Sequence, residues 1–221
     1  MVQDELWEFV KHSITANEEK AKQMLAQKRQ EEAQRLLMQS GLGKRFQQRT
    51  FATYKVLDKN MDHAKAEAIG FITDFPNAKG LLFSGPVGIG KTHLAAAIAN
   101  YLIKQLYVVL FGSSADIISR IKQTYGKSGE SELDVIEALT NVDLLIIDDL
   151  GKEKASDNTS TVLYQIINRL YEDEKPLIIT TNYTSDALIS RLGEKGEAIV
   201  SRITEMCKPV VMRGDDWRLK A

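Results

Sequence analysis

Gly80-Leu81-Leu82-Phe83-Ser84-Gly85-Pro86-Val87-Gly88-Ile89-Gly90-Lys91-Thr92 is the stretch that decides the fold. It opens on an apolar run short enough for a buried strand and ends on the spacing Gly-x-x-x-x-Gly-Lys-[Ser/Thr]. The glycines let the backbone turn tightly, so that successive N–H groups converge on phosphate oxygens. Residues 92–106, rich in Ala, Ile and Leu, predict a helix whose positive end points at the same spot. Gly85, Pro86, Val87, Gly88, Ile89, Gly90, Lys91 and Thr92 are therefore candidate ligands of ATP·Mg²⁺. Lys91 would reach the β- and γ-phosphates, and the Thr92 hydroxyl would ligate Mg²⁺. The competing reading is a Gly-rich turn without a ligand; the strand before it and the helix after it weigh against that.

Working outward, short apolar runs alternate with helical patterns. Strands are expected at 80–84, 107–111, 142–147, 176–180 and 210–212, and helices at 61–75, 92–106, 116–125, 161–171 and 186–192, the last capped by Ser185. Near-continuous apolar strands separated by helices predict an α/β fold: a five-stranded parallel sheet sandwiched by helices.

Two further motifs follow in order. Leu144-Leu145-Ile146-Ile147-Asp148-Asp149 ends a strand in two carboxylates, at the end of the sheet where ligands bind. Asp148 would hold Mg²⁺ through its water and Asp149 would orient or deprotonate the attacking water; two solvated loop acids are the bland alternative. Thr180-Thr181-Asn182 follows the fourth strand, and the Asn182 amide could bond both γ-phosphate and water, although Asn also favours turns. Arg202 stands between apolar neighbours before the last strand. It reads either as an arginine supplied in trans to a neighbour's ATP or as a snorkelling surface side chain.

Composition bounds the rest. The 221 residues carry a net charge of −1, so nucleic-acid binding would need a local patch. The lone cysteine, Cys207, excludes an internal disulfide and a thiolate-rich zinc site. No apolar run is long enough for a membrane span and the N-terminus has no signal-peptide pattern, which predicts a cytoplasmic protein without a membrane partner. Residues 17–39, rich in Glu, Lys, Gln and Ala, predict a helix with little to bury. The apolar cluster Leu6, Trp7, Phe9 and Val10 precedes it, and Gly41 and Gly43 punctuate its end. Residues 1–43 are thus expected to form a helical arm for partner docking and 44–221 the nucleotide-binding domain.

The same motifs, with the lead-in Lys44-Arg45-Phe46-Gln47-Gln48-Arg49-Thr50-Phe51, the run Ile147-Asp148-Asp149-Leu150-Gly151 and the ending Asp215-Asp216-Trp217-Arg218, resemble the AAA+ P-loop ATPases of the DnaC/DnaI helicase-loader and IstB group over about residues 45–218. The resemblance implies ATP hydrolysis within an oligomer, with Asn182 as sensor and Arg202 as arginine finger. Many relatives carry Glu where Asp149 stands. A helical motif of that group contacts single-stranded DNA, and it maps to residues 113–129. Arg120, Lys122 and Lys127 would meet phosphate and Tyr125 would stack on a base, unless they are only the solvated face of an amphipathic helix. The implied function is loading of a hexameric replicative helicase onto single-stranded DNA, with the helicase held by residues 1–40. An IstB-like transposition ATPase on duplex DNA is the second reading and a small-molecule P-loop kinase the third. Two departures stand out: the single cysteine leaves no N-terminal zinc-binding region, and only residues 213–221 follow the fifth strand, so no C-terminal lid domain is expected.

Overall fold

Strands β3 (Leu144–Asp148) and β4 (Leu177–Thr181) are buried at every position, which is why they read as unbroken runs rather than alternating ones. In the computed structural model, which describes residues 2–36, 44–125, 131–152 and 156–214, they lie at the centre of the expected five-stranded sheet. With β1 (Gly80–Ser84), β2 (Val109–Ser113) and β5 (Cys207–Val211), the strand order is β2-β3-β4-β1-β5. All pairings are parallel; Leu144 stands opposite Val109 and Ser84 opposite Thr181. β5 exposes Lys208 and Pro209, as an edge strand tolerates.

Side chains alternate between two cores. Leu144 and Ile146 pack with Phe83 against α3 (Lys59–Asp74) and α4 (Lys91–Lys104). Leu145 and Ile147 pack on the other face against α5 (Ser114–Lys122), α6 (Glu132–Thr140), α7 (Asp157–Glu172), α8 (Ser185–Leu192) and α9 (Gly196–Met206). Ala95, Ala96 and Ala99 of α4 are fully buried, so small side chains let this helix lie close on the sheet and fix the loop that precedes it. A short helix, α2 (Lys44–Gln47), is tied to α4 by the Asn100 amide, which donates to the carbonyls of Phe46 (2.8 Å) and Arg49 (2.7 Å).

The expected N-terminal helix runs unbroken as α1 (Val2–Leu36) and takes in the segment of Leu6, Trp7, Phe9 and Val10, whose side chains lie outside the described part. Between residues 17 and 31 it is exposed almost all round. It is gripped through Gln30, whose amide accepts from Val109 N–H (2.9 Å) and donates to Val109 C=O (3.0 Å) on β2. Gly41, Gly43, Lys127 and the ending Asp215-Asp216-Trp217-Arg218 lie outside the described residues. Among those described, no helix is long and apolar enough to cross a membrane.

β1 has the expected limits, but several other elements shift. β2 starts at Val109 rather than Tyr107, because Val108 N–H is taken by the Asp143 carboxylate (2.7 Å). Thr184, not Ser185, caps α8, its hydroxyl accepting from Ala187 N–H. α6 and α9 are additional to the expected helices. α6 is set by a reciprocal capping box between Ser131 and Asp134 and buries Val135, Ile136 and Leu139.

Candidate functional site

β1 hands the chain to the loop 85–90 through backbone that only glycine fits. Gly85 and Gly90 have φ of 142° and 96°. A Cβ on Gly85 would run into the Met212 carbonyl, and one on Gly90 would sit 2.7 Å from Tyr54 Cε2. α4 begins at Lys91 with no side chain capping it, so its first N–H groups face the loop's concavity. Lys91 is 5% exposed, and its ammonium donates to Gly85 O (2.8 Å), Pro86 O (2.6 Å) and Asn182 Oδ1 (2.7 Å). A buried cation satisfied by neutral oxygens is ready to exchange them for an anion.

β3 delivers Asp148 beside that loop. One of its oxygens accepts from Thr92 Oγ1 (2.9 Å) and Thr180 Oγ1 (2.6 Å). Burial pushes the Asp148 carboxyl above its ordinary value; the Thr180 hydroxyl pulls it down, the Asp149 charge pushes it up, and Thr92 and Lys91 pull it down. A hydroxyl and a carboxylate side by side form an all-oxygen donor pair. That suits Mg²⁺, which keeps waters and takes its remaining ligands from phosphate. Among the described residues no group of three or more His, Cys, Asp or Glu forms a metal cage.

Asp149 adopts the left-handed conformation (φ 57°), which Asp tolerates better than most residues. Its N–H donates to Thr180 Oγ1 (2.9 Å) and its carbonyl accepts from Ser114 Oγ (3.2 Å). Its carboxylate lies 3.5 Å from Asn182 Nδ2 and 3.3 Å from Lys152 Nζ. The carboxyl ends of β1, β3 and β4 thus bring together Lys91, Thr92, Asp148, Asp149 and Asn182, as the motifs predict.

These residues line a cleft of about 500 Å³ together with Phe46, Arg49, His93, Lys152 and Tyr183, which the motifs did not reveal. His93 Nε2 faces Thr50 O (3.0 Å) and Nδ1 faces Arg49 Nη1 (3.4 Å). A ring that donates from Nε2 and accepts at Nδ1 satisfies both, and that is the neutral tautomer. Burial first, then the Arg49 charge, lowers its pKa against the opposing pull of the Thr50 carbonyl. The lead-in segment supplies Phe46 and Arg49 of this lining, so their signal lay in Lys44-Arg45-Phe46-Gln47-Gln48-Arg49 without revealing its place.

Arg202 is not among the residues lining this cleft. It lies on α9 against α7, donating to Asn168 Oδ1 (2.7 Å), Tyr164 Oη (2.9 Å) and Ala198 O (3.3 Å), with its guanidinium 4.7 Å from the Tyr164 ring centre. Arg120 and Lys122 stand in the last turn of α5, whose inner face buries Ile117, Ile118 and Ile121. Tyr125 follows, half exposed, its hydroxyl on Asn158 Oδ1 (3.1 Å).

A parallel sheet with a glycine loop before α4, and acid and amide at the neighbouring strand ends, defines a P-loop nucleotide-binding fold of the AAA+ kind. Residues 7–221 match the family described as IstB-like ATP binding protein, and the chain belongs to that family. The replicative helicase loader DnaC of Escherichia coli (strain K12) is 35% identical over 163 residues, which is 73% of this chain and 66% of that protein. The chain therefore spans just under two thirds of that relative's length. YdaV of the same strain is 29% identical over 213 residues, 95% of this chain and 81% of the relative. A crystal structure of the DnaC helicase loader aligns with a TM-score of 0.68 at 33% identity, over 77% of this chain and all of that one (100%).

Proposed function

We propose that this protein is an ATPase that loads a hexameric replicative helicase onto single-stranded DNA. The observation that carries the ATPase reading is the meeting of Lys91, Thr92, Asp148, Asp149 and Asn182 at one sheet end. Lys91 would trade its carbonyl partners for the β- and γ-phosphates, while Asp149 and Asn182 orient a water toward the γ-phosphate. Thr92 and Asp148 would hold Mg²⁺, which when bound neutralises charge on the phosphate oxygens. Arg202 would complete a neighbouring subunit's site, giving up its bonds to Asn168 and Tyr164 to do so. The arm of residues 1–43 would dock the helicase, and Arg120, Lys122, Tyr125 and Lys127 would follow the DNA strand. Likeness to DnaC supports the helicase assignment.

The IstB-like family match favours a second reading, an ATPase that holds duplex DNA and recruits a transposase. One reconstitution separates them. The protein is mixed with its host's replicative helicase and single-stranded DNA coated with its binding protein, and helicase deposition is followed with and without ATP. ATP-dependent deposition, absent with Lys91→Ala, supports the loader. No deposition, together with ATP-dependent retention of duplex DNA, refutes it in favour of the second reading.

A further inference from the structure

Asp149 has a partner that the ATPase reading leaves without a task. Lys152, three residues on, is held close by a tight turn in which its own N–H donates to Asp149 C=O (3.2 Å). Its ammonium reaches Asp149 Oδ2 at 3.3 Å, while Asn182 Nδ2 faces Oδ1 at 3.5 Å. Lys91, Asn182, Asp149 and Lys152 thus form one line of polar contacts across the cleft. A carboxylate that orients a water must aim a lone pair at that water, and here each oxygen already gives one lone pair to another donor, so these partners bias where the carboxylate points. A nucleotide that draws Lys91 onto its phosphates releases the Asn182 carbonyl oxygen, but it does not release Oδ2 from Lys152. Thr180 and Ser114 fix the Asp149 backbone, so the side-chain torsions decide where the carboxylate points.

We propose that Lys152 is a positioning residue that restrains Asp149, holding basal hydrolysis below what the assembled site can deliver. The restraint is weak by construction. The Lys152 side chain is 67% exposed and that of Asp149 28%, so the pair is a solvated one that a competing anion or a neighbouring surface can open. An exposed pair of this kind is worth a change in rate of about two- to fivefold. The proposal rests on Asp149 being the water-orienting acid, and the test separates the two.

Steady-state ATP hydrolysis is measured on the full chain and on Lys152→Met, Lys152→Arg, Asp149→Asn and the Lys152→Met/Asp149→Asn double variant. Lys152→Met should raise basal kcat by about two- to fivefold with KM unchanged, and Lys152→Arg, which keeps the cation, should stay at the parent rate. The double variant should be as slow as Asp149→Asn. An unchanged or lower kcat in Lys152→Met, a rise in KM, or acceleration that persists without the Asp149 charge would overturn the restraint. Asp149→Asn turning over like the parent would instead overturn the reading of Asp149 itself, a different result from a crippled Asp149→Asn with no Lys152 effect.

Discussion

Thr180→Val removes one hydroxyl from the interior and tests how the two acids are held. Thr180 is fully buried, and its Oγ1 both donates to Asp148 (2.6 Å) and accepts from Asp149 N–H (2.9 Å). Valine keeps the shape and loses both bonds. The bond to the carboxylate is worth about 1.5–3 kcal/mol, and leaving the Asp149 N–H unmet costs about 1–3 kcal/mol more. Some of this returns because valine carries no polar atom to desolvate, so we expect a net loss of about 2–4 kcal/mol at neutral pH. Urea unfolding reads it directly. The pH dependence has a definite sign. The native pKa of Asp148 is raised, so its ionised form is disfavoured by folding and native stability improves as pH falls through that pKa. The Thr180 bond favours the ionised form, so the variant's deficit is full where Asp148 is ionised and shrinks as the acid takes up its proton. A deficit under about 1 kcal/mol at neutral pH, or one that stays constant into acid, would refute the bridging role.

Other outcomes follow from the same site. Lys91→Ala should keep the fold and weaken ATP binding by about ten- to a hundredfold, read by calorimetry; wild-type affinity would remove Lys91 from the phosphates. Asp149→Asn should retain ATP·Mg²⁺ binding and lose hydrolysis, and a parent-like turnover would count against it. Arg202→Ala mixed with Lys91→Ala should recover part of the activity each lacks, because one binds ATP and the other lends the guanidinium; no recovery in a shown co-assembly would leave Arg202 as the clamp between α9 and α7. Replacing Arg120, Lys122 and Lys127 by Ala should flatten the salt dependence of single-stranded DNA binding, and an unchanged slope would make them a solvated face.

What could be read from the chain follows from how local each signal is. β1 and its glycine loop declare themselves because strand, turn and helix start are contiguous in sequence. Asp148 was legible for the same reason, as an acid ending an apolar strand. Thr180 was not: a threonine in a strand reads as a β-former, and only the folded register brings its hydroxyl between two acids. Phe46, Arg49 and His93 share a wall because α2 lies on α4, a contact that no spacing encodes. α6 carried its signal in Ser131 and Asp134, a capping box that lacks the usual Glu or Gln. α9 places Ile199, Val200 and Ile203 at helical spacing, which proximity to a strand obscured.

The Gln30 amide on β2 has a consequence for solubility. Val109 lies on an edge strand, and the side chain satisfies its outward donor and acceptor much as another strand would. An unsatisfied pair of this kind invites the edge of another molecule. The polar arm thus acts as a guard for the sheet it crosses. A chain cut beyond Gln30 would expose that edge and self-associate through it, so a truncation meant to test helicase capture should be matched by Gln30→Ala in the intact protein. That single change removes the cap on Val109 while keeping every other residue of the arm in the chain.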